Sequence, residues 1–232
     1  MAEPTPDDPG LARQLAGALH DLRQPLDALA IYADLLTSDP AQAAELAPRM
    51  ARAVALAQGL ARSLQDFAAL EAPSAAQVSP PLPVSVLLAD LSVVYEPLAR
   101  HKGLRWRVRG LDAVLHTDAA LLHRLLGNLL ANAIGYTARG GVLLAVRQRR
   151  TGLVFEVWDT GAGMAPQDQQ RVFEPFVRLG AGGEGAGLGL AVVRALAERL
   201  GCTVALRSRP GRGSVFRVTL RVQDPSRPFM RA

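Results

Sequence analysis

The sequence predicts an α+β protein: an antiparallel helical hairpin forming a dimeric four-helix bundle, followed by an α/β sandwich with a mixed sheet. Three observations predict this class. Apolar residues recur every third or fourth position over residues 11–72, which is typical of amphipathic helices. Prolines then cluster in residues 73–83, which indicates a linker. Beyond the linker, helical patterns alternate with short strands, several of them in hairpins, which favours helices packed on one mixed sheet.

The composition limits the function classes. The 232 residues can form two small domains, and a hydrophobic content of 49% allows a real core. The net charge is +5. The arginines are scattered along the chain, which favours a solvated surface over nucleic-acid binding. The single cysteine, Cys202, excludes an intramolecular disulfide, and the histidines and cysteine lack metal-site spacing. Because the chain shows no apolar run of ~18 residues and no signal-peptide pattern, we expect a cytoplasmic protein without a membrane span.

The first half is predicted to be a hairpin at 11–72, preceded by a disordered lead or linker stub at 1–10. Helix one runs from about Leu11 to Leu36, and Pro25 inside it is expected to kink it. Ser38-Asp39-Pro40 then provides a capping side chain and a first-turn proline for helix two, which runs to about Ala72. Each helix carries one apolar stripe, and a hairpin hides only part of it. Dimerisation buries the rest; the alternative is packing of the hairpin on its own second domain.

The second half, residues 84–222, contains the predicted sandwich, and 223–232 form a tail. Asp118 is predicted to cap a helix that reaches about Tyr136, and Gly201 ends a later helix. The other elements follow from alternation, apolar periodicity and turn residues. They are helices at 84–100, 167–172 and 188–200 and strands at 104–109, 113–116, 142–149, 153–158, 203–207 and 214–222.

His20 lies about 200° around helix one from Leu22, at roughly 100° per residue, so it is off the apolar stripe. It shares the polar face with Arg23, Gln24 and Asp27. A buried structural histidine is therefore disfavoured. A plain surface histidine and a reactive one remain equally open on this helix alone.

Four segments of the second half suggest a nucleotide site. Asn128 and Asn132 lie one helical turn apart and can hold a hydrated Mg²⁺ and phosphates without adding charge. Asp159, which ends a strand before Thr160-Gly161-Ala162-Gly163, can accept a hydrogen bond from an exocyclic amine such as that of adenine. Each pattern alone is also compatible with an ordinary surface face or turn. The glycine-rich segment 182–190 runs into a helix, whose free N–H groups favour anions, and Gly211 to Phe216 begin the last strand.

In this order, behind His-Asp-x-x-x-Pro, these segments resemble the sensor histidine kinases of two-component signalling from about Leu11 to Val222. In family terms His20 to Leu26 resemble the phosphoacceptor box, Asn128 to Tyr136 the N box and Phe173 to Phe176 the F box. Asp159 to Gly163, Gly185 to Leu190 and Gly211 to Phe216 resemble the glycine boxes. The resemblance implies a Bergerat-type ATP-binding fold. It implies nucleotide contacts from a set of residues in these boxes and the lid between them: Asn128, Asn132, Tyr136, Asp159, Gly161, Gly163, Arg178, Gly185, Gly187, Leu188, Gly189 and Ser214.

The implied activity is autophosphorylation of His20 by ATP and transfer to an aspartate of a response-regulator receiver domain. Asn132, with help from Asn128, is expected to bind Mg²⁺. Asp21 can orient the imidazole and accept its proton, and Gln24 can hold a water that dephosphorylates the partner. An upstream sensor domain or protein is expected outside this chain. A homodimer is expected, and no nucleic-acid partner is expected.

Two departures from the family pattern affect this prediction. Gly135 stands where the family often has a basic residue, so a phosphate contact is missing unless an arginine such as Arg139 replaces it. The lid, Phe173 to Ala186, is short and rich in glycine, which predicts slow autokinase activity. The alternatives are a phosphotransfer or phosphatase module with weak nucleotide binding, a gyrase-like ATPase without a histidine acceptor, and a purely structural coiled coil.

Overall fold

A computed structural model of the chain describes residues 9–68, 80–150, 152–175, 177 and 188–221. Within the two long N-terminal helices it describes the side chains of residue 20 and of residues 22–61. The chain divides into two compact units, which we call the helical hairpin and the sheet unit. No helix in these described ranges combines the length and the apolar character that crossing a membrane requires.

The helical hairpin consists of α1 (Pro9–Ser38), a 3₁₀ turn (Pro40–Gln42) and α2 (Ala43–Ala68). Asp39 caps the turn, because its Oδ1 accepts a hydrogen bond of 3.1 Å from the N–H of Ala41. The start signal before the second helix is therefore confirmed, although one 3₁₀ turn precedes the α-helix. Helix α1 begins at Pro9, inside the predicted lead, and continues as one helix through Pro25.

The sheet unit begins with a short strand and a helix where the sequence analysis placed the end of the linker. Its elements are β1 (Pro81–Pro83), α3 (Val84–His101), β2 (Arg105–Arg109), β3 (Val114–His116), α4 (Ala119–Gly135), β4 (Gly141–Arg149), β5 (Gly152–Asp159), α5 (Asp168–Arg171), α6 (Gly189–Leu200), β6 (Thr203–Arg209) and β7 (Gly213–Leu220). Asp118 caps α4 through a 3.0 Å bond from the N–H of Leu121, as predicted. Gly201 follows α6 with φ of +62°, the left-handed conformation that ends helices.

The main sheet has five strands in the order β2-β4-β5-β7-β6. Strand β2 pairs parallel with β4, and the other three pairings are antiparallel, so the predicted mixed sheet is confirmed. Strand β1 differs from the prediction, because Pro81–Pro83 pairs antiparallel with Val114–His116 instead of belonging to the linker. Prolines are tolerated in an edge strand where the nitrogen faces away from the partner strand.

The core of the sheet unit lies between one face of the main sheet and α4. Helix α4 packs against β4, β5 and α6. The sheet contributes Leu144, Phe155, Val157 and Val218, each at most 1% exposed. Facing them, α4 buries a continuous set of apolar side chains: Leu122, Leu125, Leu126, Leu129, Leu130, Ala133 and Ile134. This packing fixes α4 and the end of β5 in place, and both carry residues of the predicted nucleotide site.

Candidate functional site

Asp159 ends β5 on the helix-covered face of the sheet. Its Oδ1 accepts hydrogen bonds from the N–H groups of Gly161 (2.8 Å) and Ser214 (3.2 Å). Burial raises the pKa of Asp159, while the hydrogen bonds from Gly161 and Ser214 oppose that rise. Because both backbone donors use Oδ1, Oδ2 accepts no backbone hydrogen bond from the described residues. The carboxylate is thus held in one orientation with a second oxygen available to a donor.

Glycines allow the segment after Asp159 to pack tightly on the turn between β6 and β7. Gly163 has φ of +67° and Gly213 has φ of +89°, both in the left-handed region. A Cβ on Gly163 would collide with the carbonyl oxygen of Arg209, and one on Gly213 with that of Asp159. The N–H of Gly211 also donates to the carbonyl of Ala162 at 2.7 Å. Two glycine boxes that are about fifty residues apart in sequence therefore form one structure.

The C-terminal end of α4 meets the same loop. A Cβ on Gly161 would collide with the carbonyl oxygen of Tyr136, so only glycine allows this approach. Tyr136 caps α4 with an N–H that donates to the carbonyl of Asn132 at 2.9 Å, and its side chain is 45% exposed. Tyr136 and Asp159 thus both lie next to Gly161.

The two amides of α4 meet the first residue of α6. A Cβ on Gly189 would lie 3.4–3.5 Å from side-chain atoms of Asn132 and from Oδ1 of Asn128. The Nδ2 of Asn128 donates to the carbonyl of Arg124 at 3.0 Å, which directs the amide oxygen away from that carbonyl. Amide oxygens that approach a helix start suit Mg²⁺, which keeps most of its waters and is shared with phosphates. The residues present therefore fit the predicted ion.

Several side chains outside the sequence motifs support this site. Ser208 Oγ accepts from the N–H of Met164 (2.8 Å) and donates to the carbonyl of Gly213 (3.0 Å), so it ties the two glycine segments together. Thr160 Oγ1 accepts from the N–H of Gly141 (2.9 Å) and donates to the carbonyl of Arg139 (3.2 Å). No sequence motif marks these hydrogen bonds, and three of the four join residues 19–44 positions apart.

Lys102, the only lysine of the chain, binds the C-terminal end of α4. Its Nζ donates to the carbonyls of Ile134 (2.8 Å) and Gly135 (2.6 Å), where the helix dipole is negative. Lysine near the last carbonyls of a helix is a familiar cap. As the only lysine, Lys102 stands out in the sequence, but nothing in the sequence indicates that it binds the end of α4.

Part of the predicted phosphate-binding segment lies outside the described residues. Arg178, Gly185 and Gly187 belong to that part, as does most of the predicted lid. Leu188 is described and buried, and Phe173 at the start of the lid packs edge-on against Phe216, with ring centroids 6.3 Å apart.

The predicted phosphoacceptor lies in α1 of the helical hairpin. His20 and Gln24 are both exposed and lie one helical turn apart, as the sequence predicted. Arg23 and Asp27 on the same face form an exposed ion pair at 3.9 Å. The backbone of Asp21 is helical, and its side chain lies outside the described ones.

Comparison with known proteins defines the class of the site. Residues 117–224 match the family described as histidine kinase-, DNA gyrase B-, and HSP90-like ATPase. This match covers α4, the Asp159 loop and the turn between β6 and β7, the elements that bring the predicted nucleotide residues together. The sheet unit thus contains an ATPase domain of this family.

Whole-chain relatives extend the match into the helical hairpin. The sensor histidine kinase AtsR of Burkholderia thailandensis is 32% identical over an alignment of 221 residues, which covers 89% of this chain and 36% of that protein. The structure of ShkA in complex with AMPPNP is 28% identical with a TM-score of 0.62, covering 90% of this chain and 47% of that one. Both halves of the chain are thus similar to sensor histidine kinases, and residues 117–224 belong to the ATPase family.

A third similarity concerns the fold. Histidine kinase ThkA, in a structure with response regulator protein TrrA, is 18% identical with a TM-score of 0.75 and covers 94% of this chain and 63% of that one. The helical hairpin followed by a mixed sheet is therefore an established arrangement. The chain spans about a third of AtsR, and less than two thirds of the curated relatives that it matches first.

Proposed function

We propose that this chain is an ATP-dependent protein histidine autokinase that phosphorylates His20. Two contacts of α4 carry the proposal: its two amides lie against Gly189 at the start of α6, and its C-terminal end lies against the loop that follows Asp159. The second support is an exposed histidine on the helical hairpin, followed one turn later by an exposed Gln24. The similarity of the whole chain to sensor histidine kinases supports pairing these two features in one reaction.

Adenine recognition is assigned to the Asp159 loop. Oδ2 of Asp159 accepts the exocyclic amine of the base, while Gly161 and Ser214 hold Oδ1. Gly161 and Gly163 keep the loop free of side chains, so a flat ring can lie on the backbone. Tyr136, half-exposed beside this loop, offers its ring face to the base or ribose.

Phosphate binding is assigned to the start of α6 and to the segment before it. Backbone N–H groups at a helix N-terminus attract phosphates, which gives Gly189 and Leu188 their role together with Gly185 and Gly187. Arg178 contributes a charge from the lid. Asn128 and Asn132 would hold Mg²⁺, which when bound neutralises phosphate charge and orients the γ-phosphoryl group for in-line transfer.

The chemistry at His20 is a phosphoryl transfer. An imidazole nitrogen attacks the γ-phosphorus, an N–P bond forms, and the bond to the β–γ bridging oxygen breaks to release ADP. The proton on the other ring nitrogen passes to the Asp21 carboxylate. Exposure of His20 on α1 lets the nucleotide-bound sheet unit of its own or of a partner subunit reach it.

The phosphoryl group then moves to an aspartate of a response-regulator receiver domain that docks on the helical hairpin, and Gln24 holds a water for later dephosphorylation. We also propose a homodimer, because Leu26 and Val54 of the predicted apolar stripes remain 50% and 40% exposed. A sensor domain or protein upstream supplies the stimulus, and the cytoplasm supplies ATP.

The central test is autophosphorylation with γ-labelled ATP. The wild type is expected to acquire acid-labile, base-stable label, and His20→Ala to acquire none while binding ATP with unchanged affinity. His116→Ala, a substitution of another exposed histidine, is the matched control and should label normally. Label on His20→Ala at the wild-type level would refute the assignment. Mixed dimers of His20→Ala and Asp159→Asn distinguish transfer within a subunit from transfer between subunits.

A further inference from the structure

The face of the main sheet opposite to α4 carries a cluster of arginines. Side chains alternate between the two faces of a strand, and the pairing register shows which positions share a face. Six exposed arginines on this face, from three different strands, form no ion pair with a described residue, and we call them the arginine face. They are Arg105, Arg107 and Arg109 of β2, Arg149 of β4, and Arg207 and Arg209 of β6.

The arginine face is cationic with almost no compensation. Its acidic residue among the described strands is Glu156 of β5, which is 5% exposed. Glu156 forms ion pairs with Arg217 at 2.8 Å and with Arg147 at 3.1 Å. Its charge is therefore balanced by two further arginines on the same face of the sheet. The six arginines form no ion pair with any residue that the structure describes. Six uncompensated charges on one face attract a polyanion.

The geometry of this face favours a planar polyanion. Neighbouring strands lie about 4.8 Å apart, so the five strands span about 20 Å, and the arginines occupy both edges of the sheet. A guanidinium group donates in a rigid fork that suits phosphate. Single-stranded nucleic acids bind sheet faces mainly by stacking bases on several aromatic side chains. Trp158 is the only aromatic residue on the described part of this face, and Arg217 lies 5.8 Å from its ring centroid.

We propose that the arginine face binds the phosphate headgroups of an anionic lipid membrane surface. Binding there leaves the nucleotide site accessible, because Asp159 and α4 lie on the opposite face of the sheet. The contact is peripheral and electrostatic, so it requires no membrane-spanning helix. This proposal does not depend on the proposed autokinase activity.

The test is co-sedimentation of the full chain with phosphatidylglycerol vesicles and with neutral phosphatidylcholine vesicles, at about 0.15 M salt. Binding is expected to phosphatidylglycerol only and to weaken as salt increases. Each basic residue at an anionic surface contributes roughly a factor of five, so the triple variant R105Q/R107Q/R109Q should bind about 100-fold more weakly. The matched control R100Q/R171Q/R194Q removes the same charge from three helices and should change binding less than about fivefold.

Equal losses in both triple variants, or no binding of wild type to phosphatidylglycerol vesicles, would overturn the proposal. Tighter binding of a single-stranded oligonucleotide through the same three arginines would overturn it in favour of a nucleic-acid surface. An unchanged ATP affinity shows that each variant is folded. If the β2 variant does not fold, R149Q/R207Q tests the same face from β4 and β6, with an expected loss of about 25-fold.

Discussion

The helical hairpin and the sheet unit differ in how they bury apolar surface. Among the described side chains of the helical hairpin, only Pro25, Leu46 and Leu60 are buried, while four large apolar residues are 40–58% exposed. In the sheet unit, α4 alone buries eight residues. The sheet unit therefore has its own core, whereas the described part of the helical hairpin leaves large apolar side chains exposed.

This difference matches the chemistry assigned to each unit. The nucleotide residues belong to a rigid framework, where backbone hydrogen bonds and glycine contacts fix Asp159 within its loop. His20 belongs to a long helix with a polar outer face, where it is accessible to different partners. The proposed phosphorylation of His20 and the proposed transfer to a receiver domain require a positioned donor and an accessible acceptor.

The largest expected effect follows from the exposed stripe of the helical hairpin. Leu26→Glu combined with Val54→Glu places charges where we expect the dimer interface. Each apolar side chain buried there contributes about 1.5–3 kcal/mol, so the dimer dissociation constant should rise more than 100-fold by this estimate. Analytical ultracentrifugation measures it. ATP affinity should stay unchanged, because the sheet unit has its own core.

Leu98→Glu is the control for this experiment, since Leu98 on α3 is 53% exposed in the sheet unit. It should leave the dimer intact. A double variant that remains dimeric at the wild-type concentration range would show that the exposed stripe is not the interface.

The second effect concerns the sheet unit alone. Asp159→Asn keeps the shape of the side chain and an oxygen for Gly161 and Ser214, but removes the charge that accepts the adenine amine. A hydrogen bond to a charged group contributes about 1.5–3 kcal/mol, so the dissociation constant for ATP should rise about 10–100-fold. Titration with a fluorescent ATP analogue measures it, with the exposed Asp112→Asn as the control. Wild-type affinity in Asp159→Asn would remove this residue from adenine recognition.

The third effect compares one ion pair from each unit. Glu156 is buried between Arg147 and Arg217, whereas Glu45 and Arg49 form an exposed pair at 2.7 Å in α2. Glu156→Gln should lower the free energy of unfolding by about 1–3 kcal/mol, and Glu45→Gln by about 0–1 kcal/mol. Urea denaturation of both variants tests this. Equal losses would contradict the difference in burial.

The pH dependence gives the Glu156 pair an independent signature. Burial alone would raise the pKa of Glu156, but hydrogen bonds from Arg217 and Trp158 and the charges of Arg217 and Arg147 together lower it. A lowered folded-state pKa means that this stabilisation is present above the unfolded-state pKa. It is lost as the pH falls through the folded-state pKa. The gap between wild type and Glu156→Gln should therefore close in acid.

The sequence predicted most of the elements, because their signals are local. Apolar periodicity located α4 and α6, and the capping pattern located Asp118. The sequence alone could not reveal contacts between residues that are far apart along the chain. The link from Ser208 to Met164 and the cap of α4 by Lys102 depend on how the strands are ordered in space.

The arginines show most clearly that the sequence does not reveal which strands are neighbours. In the sequence they are scattered and predict an ordinary solvated surface. Only the register of β2, β4 and β6 places six of them on one face, since alternation along a strand says which residues share a side but not which strands are neighbours. Similarly, the prolines of Pro81–Pro83 predict a linker, and the pairing of this segment with β3 depends on a partner more than thirty residues away.

The smallest expected effect contrasts two carboxylates of one strand. Asp159 and Glu156 lie on opposite faces of β5, and burial raises the pKa of Asp159, whereas the pKa of Glu156 is lowered. With a raised folded-state pKa, the folded protein binds a proton at pH values where the unfolded chain has lost it. The contribution of Asp159 to stability therefore decreases as the pH rises through that folded-state pKa. At pH 7 the ionised carboxylate is a cost to the nucleotide-free protein, of a kind common in functional sites.

Asp159→Asn should therefore raise the melting temperature of the ATP-free protein slightly at pH 7, and the gain should vanish in acid, where Asp159 is protonated. Glu156→Gln should show the opposite trend, with a loss at pH 7 that disappears in acid. Thermal denaturation of both variants between about pH 3 and pH 7 compares the two directly. A destabilised Asp159→Asn at pH 7 would mean that the bonds from Gly161 and Ser214 outweigh burial, and that this loop serves stability before it serves nucleotide binding.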